Sequence, residues 1–552
     1  MGIDTERSEV LTAQELRADA SAASPSVRRP MRLRRCVILL AAGVFCFLWR
    51  AQLLFPDAGP RAGYKIPDRC PLKGPDSDRA LFPENRLVFA GLFWRTYPES
   101  DGLVALSSGS RPGRDDSDME LAQWRTSSNV MYLLGEFQIS DAVVLLEVQG
   151  GFDSKRPKLD VILFLPNQTQ RETIFMGGFP DTQVFRDEFG VKQVKALHEF
   201  VAHVGSRLVL TTSKRELAKT LDPTGEEELP SIEENDTVKD LFVQARFVKS
   251  PDELVKIAYA SQTAAWVHRM VAAQLQRSAP VNEITLASLF NHLSALCGSR
   301  LQAYPAIVGA GRHASILHYR TGENATSGYA PILADPPTFV LIDAAGEYQG
   351  YASDLTRTYV RRVKWSPKMK LIHEMVRKAQ QAALDAFAED VELAKVNEVA
   401  FRSLLTSLIE HKFFLPGYDV DKLMREGAYY VFMPHGLGHP VGLDVHDPTP
   451  AKYHLSGAQA LAAAGYPTVP TPPFVTLSGP HVNHLIFRGF AMTIEPGIYF
   501  IPALWKVLRE DPSSIGRFVN WDVVVRFEDV GGVRIEDVVM IDHSGQKLIV
   551  TR

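Results

Sequence analysis

The chain has 552 residues, 45 % of them hydrophobic and 22 % charged, with a formal net charge of −4. One hydrophobic core does not grow to that size, so at least two domains are expected. The near balance of 64 acidic and 60 basic side chains carries no electrostatic footprint for nucleic acid, and four cysteines are too few for a disulfide framework or a structural zinc site.

Residues 1–35 are rich in Ser, Ala and Arg without periodicity and read as a disordered tail. Arg28, Arg29, Arg32, Arg34 and Arg35 precede the apolar run Cys36–Trp49, and Ala51–Phe55 extends it beyond Arg50. The stretch 36–55 is about long enough to cross a bilayer if Arg50 snorkels. The positive flank keeps its own side in the cytosol, which gives a single-pass membrane protein with a lumenal or extracellular body. A cleaved signal and a secreted product is the alternative. Asn167-Gln-Thr, Asn235-Asp-Thr and Asn324-Ala-Thr would then be glycosylation acceptors. Residues 56–80 read as a stalk, and Cys70 and Cys297 are open to one bridge or two buried thiols.

From residue 81 the apolar runs Leu87–Leu92, Val130–Leu134, Ala142–Val148 and Leu159–Leu165 are strand-like in length and β-branched content. With a helical stretch at Asp187–Val204 they define an N-terminal α/β domain over 81–245. Ser250 before Pro251, followed by acidic residues, starts a helix Pro251–Gln276 that opens a second domain over 246–552. Within it Phe339–Thr358, Ala491–Ile501 and Gly531–Ile541 are strand-like, 366–389 and 394–412 helical, and the Ala- and Pro-rich Gly457–Pro473 a surface loop. The fold class is α/β (α+β).

Acidic residues and histidines gather in the second half, most at the ends of apolar runs. Asp343 closes FVLID, Asp354 stands in SDLTRTY, and His435, His439 and His446 lie in MPHGLGHPVGLDVHD; Glu495 follows MTI, and Glu536 follows GGVRI. Any one of these has a plain structural role available: a strand-end carboxylate caps a turn, Glu536 pairs with Arg534, a histidine is satisfied in a loop. Together, four carboxylates and one imidazole form a donor set for Mn²⁺, Co²⁺ or Zn²⁺, in which shared carboxylates can bridge two ions.

The segments LIDAAGEYQGYASDLTRTY, MPHGLGHPVGLDVHD, TIEPGIYF and GGVRIEDVV, in this order, resemble the pita-bread metallopeptidases, and among them the Xaa-Pro dipeptidases (prolidases). The resemblance implies a C-terminal pita-bread domain, a homodimer, two divalent ions, manganese foremost, and proline-containing peptides as substrates. It assigns the metal to Asp343, Asp354, His439, Glu495 and Glu536. Catalysis falls to His318 of LHYR, His446 and Glu495, and substrate binding to Tyr304, His435, His481 and Arg534. His481 marks a departure, because the prolidases carry at that place an arginine that grips the terminal carboxylate. An imidazole cannot make a bidentate fork, so an aminopeptidase of longer Xaa-Pro peptides is the near alternative. A non-catalytic binding protein is a further one, opposed by the complete ligand set.

Overall fold

Six strands form the first sheet: β1 (Gly102–Ser107), β2 (Val143–Gln149), β3 (Lys158–Leu165), β4 (Gln193–Ala196), β5 (Val209–Thr211) and β6 (Ile232–Glu234), in the order β4-β3-β2-β1-β5-β6. The three long central strands pair antiparallel and the short outer ones parallel. Successive side chains on a strand point to opposite faces, and here both faces are covered. Leu103, Ala105, Val143, Leu145, Ile162 and Phe164 pack under Phe200 and Leu217. The alternate residues Val104, Leu106, Val144, Leu146 and Leu163 pack against Phe89, Phe93 and Phe242. Double burial is why these strands read as unbroken apolar runs. The computed structural model describes residues 81–552 except 99–101, 113–123, 150–157, 227, 277–279, 324–327, 334–335, 362–364, 451–453, 456–480 and 483, together with 70, 72 and 74.

Two expected strands are helices. Leu87–Leu92 lies inside the helix Leu81–Thr96 and Val130–Leu134 inside Ser128–Leu134. Phe89 and Phe93, one turn apart, are buried while Leu87 and Val88 are exposed, a helical face that a short apolar run does not reveal. Asp187–Val204 is not one helix either. Gly190, at φ 58°, ends the helix Thr182–Phe189, and β4 intervenes before Phe200–Val204. Asn235 caps the helix Asp236–Phe247, its side chain accepting from Val238 N at 3.0 Å.

The second half starts as the sequence indicates. Ser250 and Glu253 cap the helix Pro251–Leu275 reciprocally, each side chain accepting from the other's backbone N–H. Strands β7 (Ile307–Ala310), β8 (Phe339–Asp343), β9 (Glu347–Tyr348), β10 (Tyr351–Ala352) and β11 (Thr356–Val360) follow, then the pair β12 (His454–Leu455) and β13 (His481–Val482). The last group is β14 (Phe490–Ile494), β15 (Gly497–Tyr499), β16 (Gly532–Arg534), β17 (Asp537–Ile541) and β18 (Lys547–Ile549). Antiparallel sheets β11-β8-β7, β14-β17-β18 and β15-β16 result. The helices Pro367–Ala386 and Leu393–Glu410 bury an apolar stripe against the last group.

The expected membrane association is corrected: among the described residues no helix is long and apolar enough to cross a membrane. The 25-residue helix Pro251–Leu275 has the length but carries Asp252, Glu253, Lys256 and Arg269 and packs as part of the core. The run 36–55, on which the single-pass reading, the membrane partner and the lumenal or extracellular location rested, lies outside the described residues, as do Asn324 and Gly457–Pro473. Cys70 and Cys297 form a disulfide with Cα atoms 4.8 Å apart, which resolves the two possibilities left open for them.

One apolar core is shared between the first sheet and the second half. Tyr351, Ala352, Val441, Leu443, Ala491, Val538 and Met540 join the cluster that contains Val104, Met131 and Phe242. Two halves sharing a core should unfold together, so calorimetry is expected to record one transition across residues 81–552. Leu443→Ala should lower that single transition, at a cost of about 2–5 kcal/mol; two resolved transitions would contradict the shared core.

Candidate active site

Strand pairing gathers the predicted ligands at one place. Asp343 ends β8 and Thr356 opens β11 directly opposite it, so Asp354, two residues earlier, returns to the same end of the sheet. Ile494 pairs with Asp537 in one sheet and Gly497 with Arg534 in the next. Glu495 and Glu536 therefore stand in the two breaks between those sheets. The stretch 437–441 runs alongside β14: Glu495 N donates to Leu437 O at 2.8 Å, Thr493 N to His439 O at 2.9 Å, and Val441 N to Ala491 O at 3.1 Å. Gly438 permits this approach, since a Cβ there would lie 2.0 Å from Thr493 O. His439 is thereby set against Glu495, its Nε2 3.4 Å from both Asp354 Oδ2 and Glu495 Oε1.

A hydrogen-bonded frame orients these groups. Arg534 Nη2 donates to Asp343 Oδ2, Nη1 to the Tyr499 hydroxyl at 2.9 Å, and Nε to Thr356 Oγ1 at 3.0 Å. The Thr356 hydroxyl donates to Glu536 Oε2 at 2.6 Å, Tyr304 donates to Asp354 Oδ1 at 2.6 Å, and Thr493 to Glu495 Oε1 at 3.1 Å. His435 meets the Gly436 carbonyl through Nδ1 at 2.7 Å and the Tyr499 hydroxyl through Nε2 at 3.0 Å. A carbonyl only accepts, so Nδ1 carries the proton and Nε2 accepts from Tyr499.

The electrostatics follow from crowding. Burial raises the carboxyls of Asp343 and Glu536, with the neighbouring carboxylates pushing the same way, and lifts Glu495 to about 7 despite His439 and Arg534. Burial opposes ionisation of Asp354 too, but the hydrogen bond and charge of His439 outweigh it and hold that carboxyl low. The same pair, with Glu495, overrides burial at His439 and lifts its imidazole to about 9. Burial and Arg534 depress His435 to about 3, so that ring stays neutral.

This arrangement fits divalent cations. One ligand atom each from Asp354, His439 and Glu536 lies within 4.8 Å of the others. Asp343 Oδ1 is buried without a hydrogen-bond partner, an acceptor without a donor. The His439 Nδ1 donates to Pro440 O at 3.1 Å, so Nε2, which faces the carboxylates, is the ring nitrogen that would bind a cation on losing its proton.

Residues 255–543 match the model of metallopeptidase family M24, and residues 83–214 that of the aminopeptidase P N-terminal domain. The chain belongs to metallopeptidase family M24, whose sites are dinuclear, and is an enzyme of the pita-bread fold. It is similar to a protein of Aspergillus terreus (strain NIH 2624 / FGSC A1156) named probable Xaa-Pro aminopeptidase, 29 % identical over 495 residues that cover 86 % of this chain and 95 % of that one. It is also 29 % identical to the Homo sapiens Xaa-Pro dipeptidase over 404 residues, 70 % of this chain and 75 % of that protein. The fold is that of the Pseudomonas aeruginosa aminopeptidase PepP, at a TM-score of 0.65 and 23 % identity over 86 % of this chain and 95 % of the other. Zinc-substituted Escherichia coli aminopeptidase P in complex with product gives 0.64 and 21 %, over 86 % and 96 %.

The remaining expected residues are spread around this centre. His446 is exposed and meets the His439 ring edge to face, ring centroids 4.1 Å apart and planes at 63°. His318 is exposed, follows the turn Gly311–Ser315, and is near enough for its charge to act on His435 and His446. Its loop is tied down by the buried Glu283, which accepts from Ala310 N at 2.7 Å, His313 Nδ1 at 2.8 Å and Tyr319 OH at 2.8 Å. His481 sits in β13, paired with Leu455. Sequence reasoning did not single out Thr356, Thr493, Tyr499 or Glu283, although the first three lie inside or beside the motifs it quoted.

The shifts set a pH dependence for the chain without metal. Glu495, at about 7 folded against an ordinary 4.5, binds more protons folded than unfolded between those values. His439, at about 9 against 6.5, does the same over the next interval. Both contributions therefore fall as pH rises. In chelator the melting temperature should drop from pH 5 to pH 8, and added Mn²⁺ should restore more at pH 8, with about 2.7 kcal/mol gained at a hundredfold over Kd. Scanning fluorimetry reads this; a metal gain larger at pH 5 would contradict it.

Proposed function

We propose that this enzyme hydrolyses the amide bond preceding proline in short peptides, with Xaa-Pro dipeptides as one substrate class. The observation that carries the reading is the convergence of Asp354, His439 and Glu536 within 4.8 Å, with the unpartnered Asp343 Oδ1 and with the exposed His446 ring 4.1 Å from that of His439. We assign the metal to Asp343, Asp354, His439, Glu495 and Glu536, and favour manganese for a set so rich in carboxylate oxygen. Divalent ions bound there supply polarisation of the scissile carbonyl and a lowered pKa for the attacking water.

The chain's own groups do the rest. Glu495 Oε1 is engaged by Thr493, which leaves Oε2 to take up a proton and return it to the leaving proline nitrogen. His318 and His446, at the exposed rim, donate to the substrate and stabilise charge that develops on it. Arg534 and Thr356 hold the carboxylates of Asp343 and Glu536, and Tyr499 holds Arg534, so that little reorganisation accompanies reaction.

A second reading, removal of the residue before proline from longer peptides, is favoured by His481 where the dipeptidases carry an arginine. The names of the fungal and human relatives include both activities. Hydrolysis of Gly-Pro against Gly-Pro-Xaa peptides in Mn²⁺ separates the two.

Asp354→Asn and His439→Ala each remove a ligand atom. Hydrolysis should fall roughly a hundredfold or more, with bound metal reduced when measured by elemental analysis; full metal and normal turnover in either variant would refute the assignment. His481→Arg should lower KM for Gly-Pro by about ten- to a hundredfold, the worth of a charge-assisted pair of roughly 1.5–3 kcal/mol, with kcat little changed because the carboxylate is remote from the scissile bond. An unchanged KM would mean that another cation already meets the substrate's terminus.

A further inference from the structure

Arg125 lies outside every motif described above and belongs to the N-terminal domain, yet its side chain ends in the catalytic half. Its Nε is 2.8 Å from Glu347 Oε2, and Nη1 donates to Ser128 Oγ at 2.8 Å. Nη2 donates to two carbonyls, Gly350 O at 2.9 Å and Leu443 O. Glu347 and Gly350 belong to the β9–β10 hairpin, the stretch of chain between Asp343 and Asp354. Leu443 belongs to the tight loop 440–447, closed by Asp447 N donating to Pro440 O at 3.0 Å, which presents His446. One guanidinium thus joins the turn that spaces the two aspartates to the loop that carries a histidine.

The surroundings are built to the same end. The hairpin turns through two positive φ angles, Gln349 at 48° and Gly350 at 83°, and a Cβ on Gly350 would lie 2.2 Å from Met131 Cε. The helix Ser128–Leu134 therefore presses directly on the turn. Ala352 N donates to Gly442 O at 2.8 Å, so turn and loop also meet through backbone. Asp444 is gripped by Ser128 Oγ and Arg246 Nη2, both at 2.6 Å, and Asp447 by Arg246 at 2.6 Å and Lys249 at 2.9 Å. Lys249 is 1 % and Asp447 4 % exposed.

We propose that Arg125 is a positioning residue for hydrolysis: it fixes the Asp354 end of the hairpin relative to His446 without touching substrate. This rests on the reading of the site given above. A planar fork can reach a carboxylate, two carbonyls and a hydroxyl together, and an ammonium on a flexible stem cannot. A shift of about 1 Å in such a constellation can cost about a hundredfold in rate. A cavity of about 520 Å³, lined by Trp124, Arg125, Ser128, Asn129, Arg246 and Asp444 among others, gives small ions access to the place the side chain occupies.

The experiment compares the full chain with Arg125→Ala, both loaded with Mn²⁺, on Gly-Pro and Gly-Pro-Xaa peptides. Wild type must hydrolyse at least one of them; if it hydrolyses neither, the proposed function fails before this inference is reached. With an active wild type, Arg125→Ala should lose about ten- to a hundredfold in kcat with KM for the better substrate kept within about twofold, as expected of a group remote from substrate. Guanidinium at non-denaturing concentration should restore part of kcat, and methylammonium should not. A loss of packing alone would lower the melting temperature without answering to guanidinium. An unchanged kcat, or a loss that guanidinium does not relieve, overturns the inference. Should the alanine chain fail to fold, Arg125→Lys replaces it: a tenfold or greater loss of kcat is expected, and full activity overturns the proposal.

Discussion

Four carboxylates, three of them buried and Glu495 partly so, crowd around one imidazole in an arrangement that protein alone does not stabilise. Bringing Asp343, Asp354, Glu495 and Glu536 together costs solvation for each and repulsion between all. Arg534 offsets part of this by reaching Asp343 and standing 4.0 Å from Glu536 Oε2. Every feature near the site follows from that load. Strands break at Glu495 and Glu536 so that both carboxylates turn inward, glycine stands where the His439 segment must lie against β14, and hydroxyls of Thr356, Thr493 and Tyr304 each donate to one carboxylate oxygen.

Side chains placed so carefully need a rigid support, and it comes from more than the catalytic half. The first sheet shares its core with Tyr351, Ala352, Val441 and Leu443, the residues flanking the β9–β10 turn and the histidine loop. Arg246, Lys249 and Asp447 add a buried ionic join at the same boundary. Such a network is costly to bury and is poor evidence of stability in itself; its effect is to fix which backbone atoms face which. The N-terminal domain thus acts as the outer wall of the centre.

The five candidate ligands stand out in the sequence because each lies in a short segment where an acid or a histidine adjoins glycine, proline or the end of an apolar run. Strand pairing then does what those segments imply, as in the Asp343–Thr356 register. Local structure was less legible. Leu87–Leu92 and Val130–Leu134 are too short for a helical period to stand out from a strand, and tertiary burial decides between them. Arg125 was beyond reach for a different reason: two of its partners are backbone carbonyls more than two hundred residues away, which leave no mark on residue type. Thr356 and Tyr499 sat in plain view, but a hydroxyl's role depends on which neighbour it donates to, and that is set by register rather than composition.

The Cys70–Cys297 bond has a topological consequence. It turns the segment from 70 to 297, and with it the whole first sheet, into a covalent ring fused to the catalytic half. The tip of the helix Gln170–Met176 and the glycines after it are exposed, the kind of site where proteases cut first. A single cut there opens the ring without releasing a piece. The nicked molecule keeps its mass apart from one added water, migrates as one species until a reductant is added, and then separates into two fragments.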